Sequence, residues 1–493
     1  MSQLPSLLDF ISADVPRTLF PLYSATIVIR RGRADLRKYL DEQVLVDPEE
    51  PPSFVQSPVA FALKDATHAR RVHLLDPIAS LFLYDFVYSN ARHFKPPKPD
   101  AIRRKYGYHL RNKQPLSASE EHQQFRQRTI ALKNTYTYLA KLDVANCFPS
   151  IYHHDVVSFL KPLVGEQPAN QFGQFLRETN GGRSISCFPQ GLFPTKALGN
   201  LFLSFVEESA EIRSPAVIRY LDDIFLFSNN LQELEGDVYR LQLILSERSL
   251  YLNAAKTAIG RSDLVMKLPK TDEIRKSLLQ KRAATIDAAY DDEPEEIHLT
   301  PDEFRYLVRL IRRSDVAEED VELALALITE DEEHADRLAR RVFQKYPHLL
   351  KNLYSYLSNS AYNGWPLWEL LKDTSQDAAA HEYTLFWCVR IALDVFSWNS
   401  DMAQLIVALY DHPNSTDVVR AAILESRYID HGMLARKEAV LRNAGANILG
   451  VSAAVGIRNL ESGKRNQLYR YAAQSSPLMY QITRALQKPD PVQ

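Results

Sequence analysis

The 493-residue sequence predicts an α+β fold: a mixed half built on buried strands, followed by an all-α half of stacked helices. Three observations predict it. Apolar, β-prone runs such as Leu139 to Asp143 and Arg219 to Phe227 are bounded by turn residues. Beyond Thr300, apolar residues recur at helical spacing almost to the end, beginning with Phe304, Leu307, Val308 and Ile311. Between the two halves the stretch from Ala283 to Thr300 is acidic and irregular and reads as a linker. The expected division is residues 1–282, the linker 283–300, and the helical part 301–493.

Composition narrows the class. A hydrophobic share of 45% and a charged share of 24% belong to a globular chain. No apolar run approaches the ~20 residues that span a bilayer, so no membrane is expected. The N-terminus lacks the basic stretch and apolar core of a secretory signal. Cys147, Cys187 and Cys388 lie far apart, which points to a reduced, cytoplasmic protein without a disulfide framework or a structural zinc.

In chain order, Leu19-Phe20 and Ala25 to Ile29 read as apolar elements, and the proline-rich run Asp47 to Pro52 breaks regular structure. Lys64 to Pro77 reads as a polar turn between two strands, and Ile78 to Val87 as a buried helix. From Arg92 to Lys113, basic residues (Arg92, Lys95, Lys98, Arg103, Arg104, Lys105, Arg111, Lys113) outnumber the single acid Asp100, with Phe94, Tyr106, Tyr108 and His109 interleaved. Cations suit phosphates and aromatic faces stack on bases, so this run is expected to contact nucleic acid. In the second half, Thr300-Pro301-Asp302-Glu303 forms a capping box with proline at the first helical position. Breaks follow at Tyr346-Pro347, Asn363 to Pro366, His412 to Asn414 and Gly463. This rhythm suggests a solenoid or bundle of irregular helix pairs. Trp365, Trp368, Trp387 and Trp398 read as core residues.

The chemistry-bearing run is Arg219-Tyr220-Leu221-Asp222-Asp223-Ile224-Phe225-Leu226-Phe227. Adjacent aspartates repel each other and are depleted in strands, so they belong in a tight turn between two strands. Either a divalent cation removes the repulsion or the turn is simply solvated. Upstream, an apolar run ends in Asp143 and is followed by a turn or helix start through Phe148-Pro149-Ser150-Ile151. With Asp222 and Asp223 it makes three oxygen donors suited to a hard cation. Between them Gln190-Gly191 opens a helix, and after them Leu252 to Thr257 ends a helix and offers Lys256.

In this order the residues resemble a reverse transcriptase across roughly 55–260. The resemblance implies right-hand fingers and palm with an antiparallel palm sheet. It implies two Mg²⁺ ions, with Mn²⁺ as an alternative, held by Asp143, Asp222, Asp223 and the Val144 carbonyl. It further implies that Arg71, Arg70 and Lys64 grip the phosphates of a dNTP and that Lys256 assists the leaving group. Phe148 would stand as a steric gate against a ribose 2′-hydroxyl, Gln190 and Gly191 near the nucleotide or template, and Tyr220 near the primer end.

The all-helical second half, with no RNase H carboxylate set or His-Cys nuclease cluster, resembles the bacterial abortive-infection and defence-associated reverse transcriptases (the AbiK-like group). That implies antiphage defence, a nucleic-acid partner (an RNA template or a non-coding RNA, with a DNA product) and a homo-oligomer. Some members grow DNA from a tyrosine of the protein; Tyr23, Tyr362 and Tyr469 are candidates here, each of which also reads as structural. The alternatives are a conventional RNA-templated enzyme of retroelement origin and a non-catalytic scaffold.

Overall fold

The computed structural model describes residues 6–46, 53–65, 67–186, 188–266, 273–288, 298–313, 315–328, 332–360, 364–443 and 445–489. Of the sequence expectations, Asp47 to Pro52, Cys187, the acidic run 291–296 and Tyr362 lie outside these residues. Nine strands occur among them: β1 Val59–Leu63, β2 Ala69–His73, β3 Arg103–Tyr106, β4 Leu110–Arg111, β5 Gln114–Pro115, β6 Tyr138–Asp143, β7 Ala216–Tyr220, β8 Asp223–Ser228 and β9 Ala258–Arg261. The described residues fall into two compact units. The first lies within Met1–Asp14, Phe82–Thr271 and Ile286–Asp292, the second within Val15–Leu81, Asp272–Thr285 and Glu293–Gln493.

The first unit is organised around a five-stranded sheet of order β3-β7-β8-β6-β9. Three of its four pairings are antiparallel, while β3 runs parallel to β7. This corrects the expectation of a wholly antiparallel palm sheet. The Arg103–Tyr106 segment, read as part of a basic nucleic-acid run, is instead an edge strand. β7 and β8 read as near-continuous apolar runs because both faces of the sheet are covered. On one face Leu139, Ile218, Phe225 and Phe227 pack with Phe125 and Leu132 of the helix Ala118–Thr135. The helix Leu231–Ser246 is amphipathic and buries Leu234, Val238, Leu241 and Leu245.

The position of β3 decides what its basic residues do. The Arg103 guanidinium donates to the carbonyls of Ser209 (2.7 Å) and Ser214 (3.2 Å). Arg104 is buried and donates to the Pro99 carbonyl at 2.8 Å. Burial holds the Lys105 ammonium below its ordinary pKa. These three are structural, while Arg92, Lys95, Lys98 and Arg111 are exposed.

In the second unit, β1 and β2 form an antiparallel hairpin with Ala60 opposite Val72. Asp65 closes its turn, accepting from the backbone N–H groups of Thr67 and His68 at 2.8 Å each. Ala60, Ala62 and Val72 belong to the same apolar core as Leu353, Phe386 and Trp387. The Phe61 N–H donates to Glu382, whose carboxylate also accepts from the Thr416 hydroxyl at 2.9 Å. The helix Ser24–Tyr39 begins at Tyr23, which offers no side-chain cap. Its orphan donors are satisfied from far along the chain: Glu425 accepts from the N–H groups of Tyr23 and Ser24 at 2.9 Å each, and from the Ser24 hydroxyl at 2.8 Å. The early segment from Val15 to Leu81 thus packs with the helical half.

Every described element from Pro301 to Gln487 is helical. The Thr300 capping box is formed, with the Thr300 hydroxyl accepting from the Glu303 N–H and the Glu303 carboxylate from the Thr300 N–H. Three expectations are corrected. The helix Glu273–Ala288 runs into the stretch read as linker, since its residues favour helix until the acidic run begins. Gly463 lies inside the first turn of the helix Ser462–Ala473, where a glycine costs little. Trp387 is fully buried, but Trp365, at the start of its helix, is 69% exposed.

Candidate active site

The Tyr220–Asp223 turn follows from strand pairing. β7 and β8 are register partners up to Tyr220 opposite Asp223, leaving Leu221 and Asp222 as a two-residue loop. Leu221 takes φ +53°, a left-handed conformation that a leucine adopts only when its surroundings hold it there. The neighbouring strand brings the third carboxylate: in the β6–β8 pairing Asp143 lies directly opposite Asp223. Two carboxylates some 80 residues apart thus become cross-strand neighbours, with Asp222 adjacent in the loop.

Backbone bonds lock this end of the sheet. The Val144 N–H donates to the Asp222 carbonyl at 3.2 Å, the Ala145 N–H to the Tyr251 carbonyl at 2.8 Å, and the Asn253 N–H to the Asp143 carbonyl at 2.7 Å. Val144 also bridges Leu252. The segment Leu252 to Thr257 is therefore not the end of a helix, as the sequence suggested. It is a loop with one 3₁₀ turn, Ala254–Lys256, that docks beside β6. That docking delivers two side chains to Asp143: Asn253 Nδ2 donates to Oδ2 and Lys256 Nζ to Oδ1, each at 3.0 Å.

The electrostatics are those of crowded carboxylates. Burial, then the charges of Asp222 and Asp143, push the Asp223 carboxyl above its usual range. The hydrogen bond to Asp143 holds the Lys256 ammonium above its usual value. Burial pushes the nearby Cys147 thiol up, so it stays protonated and inert. Among the described residues no group of three His, Cys, Asp or Glu side chains stands already arranged as a metal cage. Both Asp143 oxygens are engaged by Asn253 and Lys256. The residue types nevertheless fit a hard divalent cation: strand register and loop bring three carboxylate side chains to one end of the sheet, where the Lys256 ammonium now pairs with Asp143.

The hairpin is held from beneath by residues the sequence reading passed over. Arg219 is fully buried and forms a bidentate pair with Glu207, Nε and Nη2 each at 2.8 Å from a carboxylate oxygen. Its Nη1 donates to Asn200 Oδ1 at 2.8 Å and to the Leu221 carbonyl at 3.0 Å. One guanidinium thus fixes the strained loop residue. A single arginine in the apolar run Ala216 to Tyr220 was a readable signal, since a charge there needs a buried partner. Nothing in the sequence marks Glu207 as that partner. Tyr220 lies under the turn: its hydroxyl donates to the Ala118 carbonyl at 3.1 Å, and its ring meets His122 edge-on at 5.0 Å.

Gln190-Gly191 precedes the helix Phe193–Phe202, and Gly191 takes φ +104°, which only glycine adopts readily. Asp14 accepts from the Phe193 N–H at 2.9 Å and from the Tyr84 hydroxyl at 2.6 Å, anchoring the start of that helix. Phe148 is half-buried and lies across Gly199 of the same helix. A Cβ at position 199 would fall 2.4 Å from the Phe148 ring. Lys64, Arg70 and Arg71 stand on the β1–β2 hairpin, in the second unit. The site described here is built from the first unit alone.

Residues 100–307 match the reverse transcriptase (RNA-dependent DNA polymerase) family. Curated proteins give no match. Among solved structures, apo telomerase from Candida tropicalis is similar at 10% identity and a TM-score of 0.30, over 81% of this chain and 72% of that one. Telomerase from Candida albicans, in complex with a fragment of telomeric RNA, is similar at 11% identity and a TM-score of 0.32, over 83% and 69%. Overlap of that depth decides neither architecture nor activity. The sequence match and the site agree: the chain carries a reverse transcriptase domain, and the enzyme class is RNA-directed DNA polymerase.

Proposed function

We propose that this chain makes DNA from dNTPs by two-metal nucleotidyl transfer at Asp143, Asp222 and Asp223, and that it serves in bacterial antiphage defence. The observation that carries the chemistry is the register of β6 and β8, which sets Asp143 opposite Asp223 beside the Asp222 loop. Two Mg²⁺ ions, or Mn²⁺, held by these carboxylates and the Val144 carbonyl would activate the primer hydroxyl and neutralise the triphosphate and departing pyrophosphate.

The chain's own residues do the rest. Lys256, with its raised pKa and 3.0 Å contact to Asp143, keeps a proton available beside the leaving group. Phe148 bars a ribose 2′-hydroxyl. Gln190 and Gly191 line the approach of the nucleotide and template, and Tyr220 supports the primer end. The support for defence is the all-helical second half, which resembles that of the abortive-infection enzymes. Asp222→Asn should abolish incorporation of labelled dNTPs and protection of cells against phage together. Synthesis that persists in this variant would overturn the polymerase assignment, while protection that persists without synthesis would overturn the link to defence. Sequencing the DNA made by RNase-treated protein separates copying of a defined RNA from untemplated growth.

A further inference from the structure

The chain has a net charge of −2, yet from His431 to Pro489 it carries nine Lys and Arg against two Asp and Glu. Lys437 is buried among backbone carbonyls. The other eight are at least partly accessible. They are spread over the helices Met433–Asn443, Ser462–Ala473 and Pro477–Gln487, the Arg458 turn and Lys488, which follows the last helix. The helix Ser24–Tyr39, also in the second unit, adds Arg30, Arg31 and Arg33, besides Arg37 and Lys38, which pair with Asp41 and Glu42. Segregation of this kind in a nearly neutral protein marks a polyanion partner.

The helices are locked together. A Cβ at Gly32 would fall 2.3 Å from the Ala485 side chain, so the helix axes cross at contact distance. The Arg31 guanidinium donates to the Leu486 carbonyl at 3.1 Å, and Lys488 pairs with Asp35 at 2.7 Å. The Asp35 carboxyl is held below its usual range first by the hydrogen bond from Lys488, with Arg484 and Lys38 also contributing. These three cations therefore lie near Asp35. Part of this charge is paired, Lys464 with Glu438 at 2.8 Å and Arg436 with Asp411 at 2.7 Å, while Arg442, Arg470 and Arg484 stand exposed.

Aromatic faces stand among the cations. Tyr471 and Tyr480 are each 48% exposed. Arg442 lies 5.5 Å from the Tyr471 ring centre, and Arg484 lies 5.9 Å from that of Tyr480. Exposed tyrosines flanked by guanidinium planes offer sequence-tolerant stacking to unpaired bases, with phosphates satisfied alongside. A duplex would leave these rings unused.

We propose that this face binds single-stranded RNA, the unpaired strand still to be copied. The choice of RNA rests on the polymerase reading above: the DNA product is base-paired to its template as it forms, whereas the RNA ahead of copying is not. The test is fluorescence anisotropy with full-length protein and a labelled unstructured RNA across a salt series. Arg470→Glu with Arg484→Glu should weaken binding about tenfold or more and flatten the salt dependence. Tyr471→Ala with Tyr480→Ala should weaken it about tenfold with the salt slope unchanged. Arg470→Gln with Arg484→Gln serves if charge reversal perturbs folding, judged by thermal melting, which is expected to match wild type. RNA bound as tightly by the arginine variants as by wild type overturns the proposal, as does tighter wild-type binding of single-stranded DNA of the same sequence. If wild-type protein makes no DNA while RNA affinity responds as expected, the polymerase reading fails and the surface stands.

Discussion

Asp223 shows how a single residue couples charge to stability. Its carboxyl is half-buried and faces two other aspartates, and its pKa is raised in the folded protein. The folded state then holds the proton more tightly than the unfolded chain, so stability is lost as pH rises through the raised value. Asp223→Asn is therefore expected to raise the melting temperature of metal-free protein at neutral pH. The same variant should lose the Mg²⁺-induced rise in melting temperature, and a scanning-fluorimetry series with and without Mg²⁺ checks both. Incorporation should fall as the pH is lowered and Asp223 takes up its proton. Gly199 makes a second residue-scale case. Its missing side chain seats the Phe148 ring, so Gly199→Ala must displace that ring. The expected outcome is a reduced preference for dNTPs over rNTPs in kcat/KM, with the fold retained on melting. An unchanged ratio would mean that Phe148 does not act as the gate.

At the scale of the element, the β7–β8 hairpin depends on a buried ion pair. Breaking such a pair leaves an uncompensated charge and costs about 3–5 kcal/mol. Arg219→Ala should therefore lower unfolding free energy by about that amount in denaturant titrations, and Arg219→Lys should recover little because an ammonium cannot reproduce the fork. The hairpin itself was legible in the sequence, because two aspartates in an apolar run have few places to go. That Asp143 belongs with it was legible from the chemistry of three oxygen donors, but the strand register that joins them was not, since register between distant strands leaves no local mark. The parallel edge strand was not legible: Arg103 and Lys105 look like surface cations until the sheet supplies the carbonyls and neighbours that absorb them. The role of Leu252 to Thr257 was misread for a similar reason, because its β-bridge to Val144 is a long-range contact with no periodicity of its own. Short-range signals fared better, and the Thr300 capping box formed as its spacing predicts.

At the scale of the molecule, the chain is folded against its own sequence order. The segment Val15–Leu81 packs with residues far downstream. A fragment ending at residue 282 would keep Asp143, Asp222 and Asp223 but strip Ala60, Ala62 and Val72 of their core partners. Such a fragment should be poorly soluble and expose apolar surface to a hydrophobic dye, although sequence reading alone would draw a domain border there. The Glu425 carboxylate that closes the start of the Ser24–Tyr39 helix has a consequence for biosynthesis. With translation at roughly 5–20 residues per second, that helix leaves the ribosome tens of seconds before its capping carboxylate exists. The amino-terminal segment must wait, apolar side outward, while the sheet bearing the aspartates is completed first. Nascent chains are therefore natural clients for a holding chaperone, and a pause in synthesis before residue 425 would trap a half-finished protein with its five-stranded sheet already made.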